Sequence, residues 1–357
     1  MSFPSTFPGI GTRHTAVGAP LERIPTRVPS PARDQVLIEV YATSLNPLER
    51  KLADINFLER ALPSPLGFDA AGVVRAVGDG VIAFSVGDEV MAMLDPTLDG
   101  CWADRSLGYA VAATWLVSRK PAEMSFAEAG MLPIAFLAAW QGLDGHVAAG
   151  DTVFIPGGGG GVGHLAIQMA ARAFGARVIT STGRDASTRL ARASGAADIV
   201  DYRDEKLVAR VLDLTSTRGA DVVFDATYNE DSFIQSARTV RPGGKWVVLG
   251  VGPGKTTRVS ETRSPVDAIL SAKGAAHVNA NVLRYFTDPA MAAPSIRRHL
   301  TDGLRHAAQW FTEGKVRPHA GLSVQGTLDD INHALAALHG GGSVAGKVAV
   351  RLGDVPR

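Results

Sequence analysis

The stretch DTVFIPGGGGGVGHLAIQMAARAFGARVITSTGR, residues 151–184, constrains the fold of this chain more than any other. Its five consecutive glycines suit either a flexible linker or a turn whose backbone must let another group come close. The flanks decide between these. Thr152-Val153-Phe154-Ile155 is a short β-branched and aromatic run, the pattern of a buried strand. Val162, Leu165, Ala166, Met169, Ala170 and Phe174 then recur at helical spacing, and Gly175 stands where a helix stops. A second apolar run, Arg177-Val178-Ile179-Thr180, follows a short turn. Strand, glycine turn, helix and strand make a βαβ unit, whose crossover renders the two strands parallel.

Within the run, Gly158, Gly160 and Gly163 fit G-x-G-x-x-G, with Gly161 and Val162 between the last two. The first glycine serves the tight turn, the second lets backbone approach a pyrophosphate, and the third packs helix against strand. The helix N-terminus beyond them offers N–H groups and a positive dipole end to an anion. This predicts a dinucleotide site. Gly157, Gly159 and Gly161 exceed what the pattern requires and predict extra backbone room near the phosphates.

Which dinucleotide is read one strand later. An NAD site places Asp or Glu about twenty residues past the first glycine, on the ribose hydroxyls. Here Thr180-Ser181-Thr182-Gly183-Arg184 occupies that place and contains no acid. Hydroxyls and a guanidinium suit a 2′-phosphate, which a carboxylate would repel. Thr182, Arg184, Arg189 and, at the end of the following strand, Tyr202 beside Arg203 are therefore the expected contacts, and the cofactor is expected to be NADPH. Strand ends further along the sheet add Thr227, Gly250, Val251 and Gly252.

The chain has 357 residues, enough for two domains with cores of their own. A formal net charge of +1 implies no nucleic-acid partner and no anionic membrane surface. The single cysteine, Cys101, rules out a disulfide framework and a zinc site of several thiolates, and it fits a reducing compartment. MSFPSTFPGIGTRH lacks the pattern of a signal peptide, and no apolar run reaches membrane-spanning length, so a cytoplasmic protein is expected. Residues 35–120 read as short strands with Gly-rich turns, a mostly β domain. Helical patterns are expected over 126–143 and an amphipathic helix over roughly 290–313, with AKGAAHVNANVLRY (272–285) closing the parallel sheet. HGGGSVAG (339–346) reads as a loop.

The order of segments resembles the medium-chain dehydrogenase/reductase superfamily, in its zinc-independent quinone oxidoreductase branch. The likeness runs through SLNPLERKL (44–52), PLGFDAAGVVRAVGDGV (65–81), FSVGDEVMAM (84–93), RKPAEMSFAEAGMLPIAFLAAWQGL (119–143), the glycine run, GAADIVDYRDE (195–205), RPGGKWVVLG (241–250) and GKVRPH…GKVAVRL (314–352). It implies an α/β protein in which a Rossmann doubly wound parallel sheet domain is inserted in a GroES-like, mostly β catalytic domain. The boundaries it suggests are 1–127 and 287–357 for the catalytic domain and 128–286 for the NADPH-binding domain. It further implies an active-site cleft between the domains, a homodimer, and hydride transfer to a small apolar electrophile, a quinone or an activated C=C bond. Related members allow two other activities: an NADPH-binding protein with little turnover, as in lens crystallins, and a tailoring enoyl reductase of secondary metabolism.

By the same resemblance, zinc-dependent members carry a cysteine ligand where this chain has Asn46, and a His-Glu pair where it has Phe68-Asp69. Phenylalanine cannot ligate zinc and asparagine is a poor substitute for thiolate, so no metal is expected. Asn46 becomes the candidate for orienting the nicotinamide or a substrate oxygen, although Asn before Pro is also a turn starter. Lys347, in the family's GK, is carried over as a cofactor contact. Some enoyl reductases place a tyrosine proton donor after the asparagine motif; ADINFLERALPSP (53–65) offers only Phe57 there. Both Tyr109 and GCWAD (100–104) align with the family's GxYAE strand. Phe57, Phe68, Asp69, Leu94, Trp102 and Phe136 are the expected pocket residues. The histidines show no ligand spacing, and His164 is expected to face solvent or the domain interface.

Overall fold

The structure is a computed structural model that describes residues 3–250, 265–339 and 344–353. The chain divides into two compact units. The first comprises Met1–Ile134, Arg284–Glu313 and Pro318–Arg357, and the second Ala135–Leu283 with Gly314–Arg317.

The N-terminal part of the first unit runs β1 (Thr6–Thr12), β2 (Glu22–Arg27), β3 (Gln35–Leu45), α1 (Pro47–Ile55), β4 (Ser64–Pro65), β5 (Asp69–Val77), β6 (Glu89–Met93), β7 (Gly108–Ala113), β8 (Val117–Arg119) and α2 (Phe126–Ala129). Helix α3 (Pro133–Leu143) follows. The helical stretch expected over 126–143 is two helices. Pro133 has no N–H to continue a helix from α2, yet its fixed φ suits a helix start.

The second unit continues with β9 (Thr152–Pro156), α4 (Gly163–Gln168), β10 (Arg177–Thr182), α5 (Asp185–Ser194), β11 (Asp198–Asp201), α6 (Leu207–Leu214), β12 (Ala220–Asp225), α7 (Glu230–Thr239), β13 (Val240–Leu249), α8 (Pro265–Ala272) and β14 (Ala276–Ala280). All six strands are parallel, in the order β11-β10-β9-β12-β13-β14. The order reverses between β9 and β12, and ligands of such sheets gather outside the strand C-termini at that reversal. Phe154, Ile179, Val223, Phe233 and Trp246 lie together in its core. Helix α4 gives way to a turn of π-helix over Met169–Ala173. Gln168 exchanges hydrogen bonds with the backbone of Arg317, at 2.9 Å from Nε2 and 2.8 Å to Oε1. That pairing explains why Gly314–Arg317 packs with the second unit.

The chain returns to the first unit with α9 (Arg284–Thr287), α10 (Pro294–Thr312), β15 (Ala320–Gln325), α11 (Leu328–His339) and β16 (Lys347–Arg351). Leu300, Leu304, Ala307 and Phe311 form the buried stripe of α10. The larger sheet of this unit has the order β15-β16-β3-β5-β6-β8, with β7 also on β3, and a smaller one has β2-β1-β4. Every residue of β3 after Gln35 is buried. Strand β3 pairs antiparallel with both β5 and β16, Val348 lying opposite Leu45 and Gly72 opposite Val40. Antiparallel pairing therefore gathers the end of β3 and the starts of β5 and β16 at one edge, which brings Asn46, Asp69 and Lys347 together. The expected boundaries after 127 and before 287 fall after 134 and before 284.

Candidate functional site

In the second unit, the predicted cofactor residues stand on the C-terminal rim of the parallel sheet. The glycine turn follows β9, Thr182 ends β10, Tyr202 follows β11, Thr227 follows β12 and Gly250 follows β13. Val251 and Gly252 lie outside the described residues. The left-handed turn that starts the loop belongs to Gly157, at φ +72°, and not to Gly158. Gly158 is needed for closeness instead: a Cβ there would lie 2.1 Å from Thr180 Oγ1 and 2.6 Å from Ile167 Cδ1. A Cβ on Gly163 would lie 2.4 Å from the carbonyl oxygen of Gly157. Gly160 differs, since its Cβ would meet only the Gly157 carbonyl at 3.3 Å. Gly160, Gly161 and Val162 are half-buried, whereas Gly158, Gly159 and Gly163 are buried. The loop thus has a packed floor and an open lip, and the lip is where an anion can approach.

Two expectations change here. Gly159 supplies no spare room; a Cβ on it would lie 2.3 Å from Cβ of Ser187 in α5. The extra glycine lets α5 approach. His164 does not face solvent but is fully buried, with its ring Nδ1 2.8 Å from the Gly160 carbonyl, so it anchors the lip from behind.

At the next strand end, Thr180, Ser181 and Thr182 are buried, and Thr180 Oγ1 donates to the Ile155 carbonyl at 2.5 Å. The Thr182 and Thr188 hydroxyls share a hydrogen bond of 2.6 Å. Arg184 and Arg189 are exposed. Tyr202 is 55% exposed and its ring covers Gly183, where a Cβ would lie 2.4 Å from Cζ. Arg203 pairs with Asp201 at 3.2 Å.

Sequence reasoning missed Asp225, at the end of β12. It is fully buried and accepts from Thr227 N–H at 2.9 Å, Thr227 Oγ1 at 2.7 Å, Ser232 Oγ at 3.1 Å and Ser236 Oγ at 2.7 Å. Burial pushes its carboxyl above the usual range, against these donors. Its signal in the sequence is an acid closing an apolar strand, followed by hydroxyls at Thr227, Ser232 and Ser236. Asp225 ties the rim turn to α7. Asp225→Ala strands four donors and is expected to lower stability by about 2–4 kcal/mol, read as an earlier urea midpoint; an unchanged midpoint contradicts this.

In the first unit, Asn46, Glu49, Asp69 and Lys347 form a buried polar cluster. Glu49 and Asp69 are 0% exposed, Lys347 3% and Asn46 6%. Lys347 Nζ donates to Asn46 Oδ1 at 2.5 Å and stands 3.4 Å from Asp69 Oδ2. Asn46 Nδ2 donates to Asp69 Oδ2 at 3.0 Å and to Glu49 Oε1 at 3.3 Å. Glu49 Oε2 accepts from Asn46 N–H at 2.8 Å, closing the start of α1. Asp69 also accepts from Ser44 Oγ at 2.5 Å and from Ile134 N–H at 2.8 Å. Burial first, and then the neighbouring Asp69 charge, push Glu49 up to about 7. Burial pushes the Cys101 thiol up to about 12, so it is an inert thiol.

A zinc ion does not fit these residues. The Lys347 ammonium already stands on Asn46 Oδ1 and near Asp69 Oδ2, and Phe68 has no donor. Among the described residues, no group of three or more His, Cys, Asp and Glu is placed to hold a metal. Lys347, expected at the cofactor, spends its ammonium inside this cluster.

The expected pocket residues need correction. Phe68, Trp102 and Phe136 are 0% exposed and Leu94 1%. Phe68 lies under the Arg60 guanidinium, 5.0 Å from its ring centroid, and Phe136 stacks on Trp140 within the second unit. They are core side chains; Phe57 alone of the set is half-buried. Tyr109 is likewise committed, donating to Glu39 Oε1 at 2.8 Å, while its strand β7 pairs with β3. A depression of about 470 Å³ lined by Pro31, Arg33 and Ala76–Gly80 lies at the other end of β3 and holds none of the candidate residues.

Residues 161–283 match the zinc-binding dehydrogenase family and residues 32–131 the alcohol dehydrogenase GroES-like domain. The chain is 36% identical over 227 residues to 2-methylene-furan-3-one reductase of Solanum lycopersicum, a match that covers 62% of this chain and 56% of that protein. It is also 36% identical over 227 residues, with the same coverage, to the chloroplastic NADPH-dependent alkenal/one oxidoreductase of Arabidopsis thaliana. The matched part thus spans little over half the length of these relatives. The structure of the quinone oxidoreductase from Coxiella burnetii superposes with a TM-score of 0.77 at 27% identity, over 97% of this chain and 99% of that one. The zinc-binding dehydrogenase match falls within the second unit and the GroES-like match within the first. The chain belongs to the medium-chain dehydrogenase/reductase superfamily.

Proposed function

We propose that this chain is a zinc-independent, NADPH-dependent oxidoreductase that transfers hydride to a quinone or to the activated C=C bond of an α,β-unsaturated carbonyl. The observation that carries the reading is the rim of the second unit. An open glycine lip stands beside a strand end, Thr180–Arg184, that holds hydroxyls and a guanidinium and no carboxylate. Gly158, Gly160, Gly161, Val162 and Gly163 would hold the pyrophosphate, and Thr182, Arg184, Arg189 and Tyr202 the 2′-phosphate ribose. When bound, the cofactor supplies the hydride. The names of the relatives support an acceptor that is already electrophilic, and one of them is called NADPH-dependent.

Asn46, the most exposed member of the buried cluster, is the residue that orients a ligand in the first unit. The hydroxyl of Tyr109 is spent on Glu39, and water is the proton source in this reading. The use of a single cysteine, Cys101, fits a cytoplasmic setting. Strand β14, a sheet edge with mostly exposed residues, supports a homodimer. Among the described residues, no helix is long and apolar enough to cross a membrane.

The test is NADPH oxidation followed at its absorbance band with a panel of quinones, enones and enoyl thioesters. Turnover above the uncatalysed rate with at least one acceptor is expected; tight NADPH binding with no turnover on any of them would favour a binding protein instead. The cofactor choice has its own test. Arg184→Ala is expected to weaken NADPH by about 10- to 150-fold, one charge-assisted contact of about 1.5–3 kcal/mol, and to leave NADH nearly unchanged. Equal losses for both dinucleotides refute the assignment.

A further inference from the structure

We propose that Lys347 and Glu49 are positioning residues that fix the Asn46 carboxamide so that it offers a ligand an acceptor oxygen and no donor. The inference rests on the ligand-orienting reading of Asn46 above and names the chemistry that Asn46 can recognise.

A primary amide has two N–H donors and an oxygen with two lone pairs. Both donors of Asn46 are used, one on Asp69 Oδ2 at 3.0 Å and one on Glu49 Oε1 at 3.3 Å. One lone pair of Oδ1 is used by the Lys347 ammonium at 2.5 Å. Turning the amide over would set its NH2 against an ammonium and its oxygen against two carboxylates, so the network dictates a single orientation. Neither acid is free to swing away. Asp69 is held by Ser44 Oγ and Ile134 N–H, and the second oxygen of Glu49 is held by the Asn46 N–H.

One valence remains, the second lone pair of Asn46 Oδ1, polarised by the ammonium behind it. Asn46 is also the member of the cluster with the most exposed surface, at 6%. A ligand atom that meets it must be an N–H or O–H donor. The carbonyl oxygen of a quinone or enone would set lone pair against lone pair, so Asn46 does not polarise the acceptor. The matching chemistry is a carboxamide N–H, as on nicotinamide, or a hydroxyl carried by the acceptor.

Equilibrium binding tests this without turnover. NADPH is compared with its 3-acetylpyridine analogue, in which a methyl ketone replaces the carboxamide donors, by fluorescence titration. A hydroxymethyl-substituted benzoquinone is compared with its ethyl counterpart by dialysis. In the wild type the donor-bearing member of one pair is expected to bind about tenfold more tightly, and which pair shows the preference identifies the donor's source. Asn46→Ala is expected to bring that ratio to about one, and Lys347→Met and Glu49→Gln to compress it at least about threefold, because the amide is then free to turn. Lys347→Arg keeps the cation and is expected to keep the ratio. Wild-type ratios near one for both pairs overturn the inference, as does a preference that survives Asn46→Ala. If Lys347 and Glu49 serve stability alone, their variants melt earlier and leave the ratio untouched, which overturns their positioning role. Should Lys347→Met not fold, Asn46→Ala and Glu49→Gln still decide. Failure of the wild type to bind NADPH at all counts against the proposed function, and the quinone pair then decides this inference alone.

Discussion

Gly160→Ala is expected to lose most of the affinity for NADPH while unfolding at nearly the wild-type temperature; Gly163→Ala is expected to lose stability outright. The two glycines differ in what a methyl group would meet. At Gly163 it would lie 2.4 Å from the Gly157 carbonyl oxygen and 2.9 Å from Gly158 Cα, both backbone atoms of the same turn. Neither can rotate away, so the turn or the start of α4 must shift. Replacing a helical glycine by alanine by itself favours the helix by about 1 kcal/mol. Overpacking costs about 1–3 kcal/mol, and more where only backbone can yield, so the clash wins. At Gly160 the nearest atom is the Gly157 carbonyl oxygen at 3.3 Å and the residue is half-buried, so a shift of a few tenths of an ångström admits the methyl group. It then occupies the lip that a pyrophosphate must approach, at a loss of about tenfold or more in affinity, the equivalent of at least one hydrogen bond. Thermal melts and NADPH fluorescence titrations read the two effects separately. Wild-type affinity in Gly160→Ala would remove the glycine lip from the cofactor site.

The other large effect belongs to the buried cluster. Lys347→Met removes the ammonium nearest Asp69 and Asn46 and leaves two fully buried carboxylates, with Arg60 the remaining cation whose charge reaches Glu49. Breaking a buried pair in this way costs about 3–5 kcal/mol, seen as a fall in the urea midpoint. The pH dependence is read on Glu49, whose carboxyl is raised from 4.5 to about 7 by burial and by Asp69. A raised carboxyl binds its proton more tightly in the folded than in the unfolded chain. Its contribution to stability is therefore full below about pH 4.5, declines as pH rises and is gone above about 7. The interval corresponds to on the order of 3 kcal/mol. Glu49→Gln carries no such proton, so the wild-type stability minus that of Glu49→Gln is expected to fall between pH 5 and 7 and to level off beyond. A difference that stays flat across that range refutes the raised carboxyl.

The glycine turn and the elements around it were largely legible in the sequence. The glycine spacing, the strand before it and the hydroxyl-rich strand end after it are all local, and chain geometry carries them into the structure: β9, α4 and β10 stand where periodicity predicts them. Local spacing could not tell which glycine turns and which merely packs. Gly157 takes the positive φ, while Gly158 and Gly159 meet Thr180 and Ser187, residues over twenty positions away. The break between α2 and α3 falls before Pro133, although the apolar period runs through it.

The first unit was harder to read. Apolar type makes Phe68, Leu94 and Trp102 suitable for a pocket wall and equally for a core, and only packing assigns them to the core. Lys347 is 301 positions from Asn46, and no pattern along the chain reports that they touch. Residue types and local periodicity were enough to determine the βαβ unit, the glycine turn and the absence of a carboxylate from the strand end at Thr180–Arg184. The antiparallel register of β3, β5 and β16 decided the rest. It brings Lys347 and Asp69 to Asn46, with Glu49 following from the start of α1, because strand pairing joins residues by their distance from a shared edge and not by their distance in sequence.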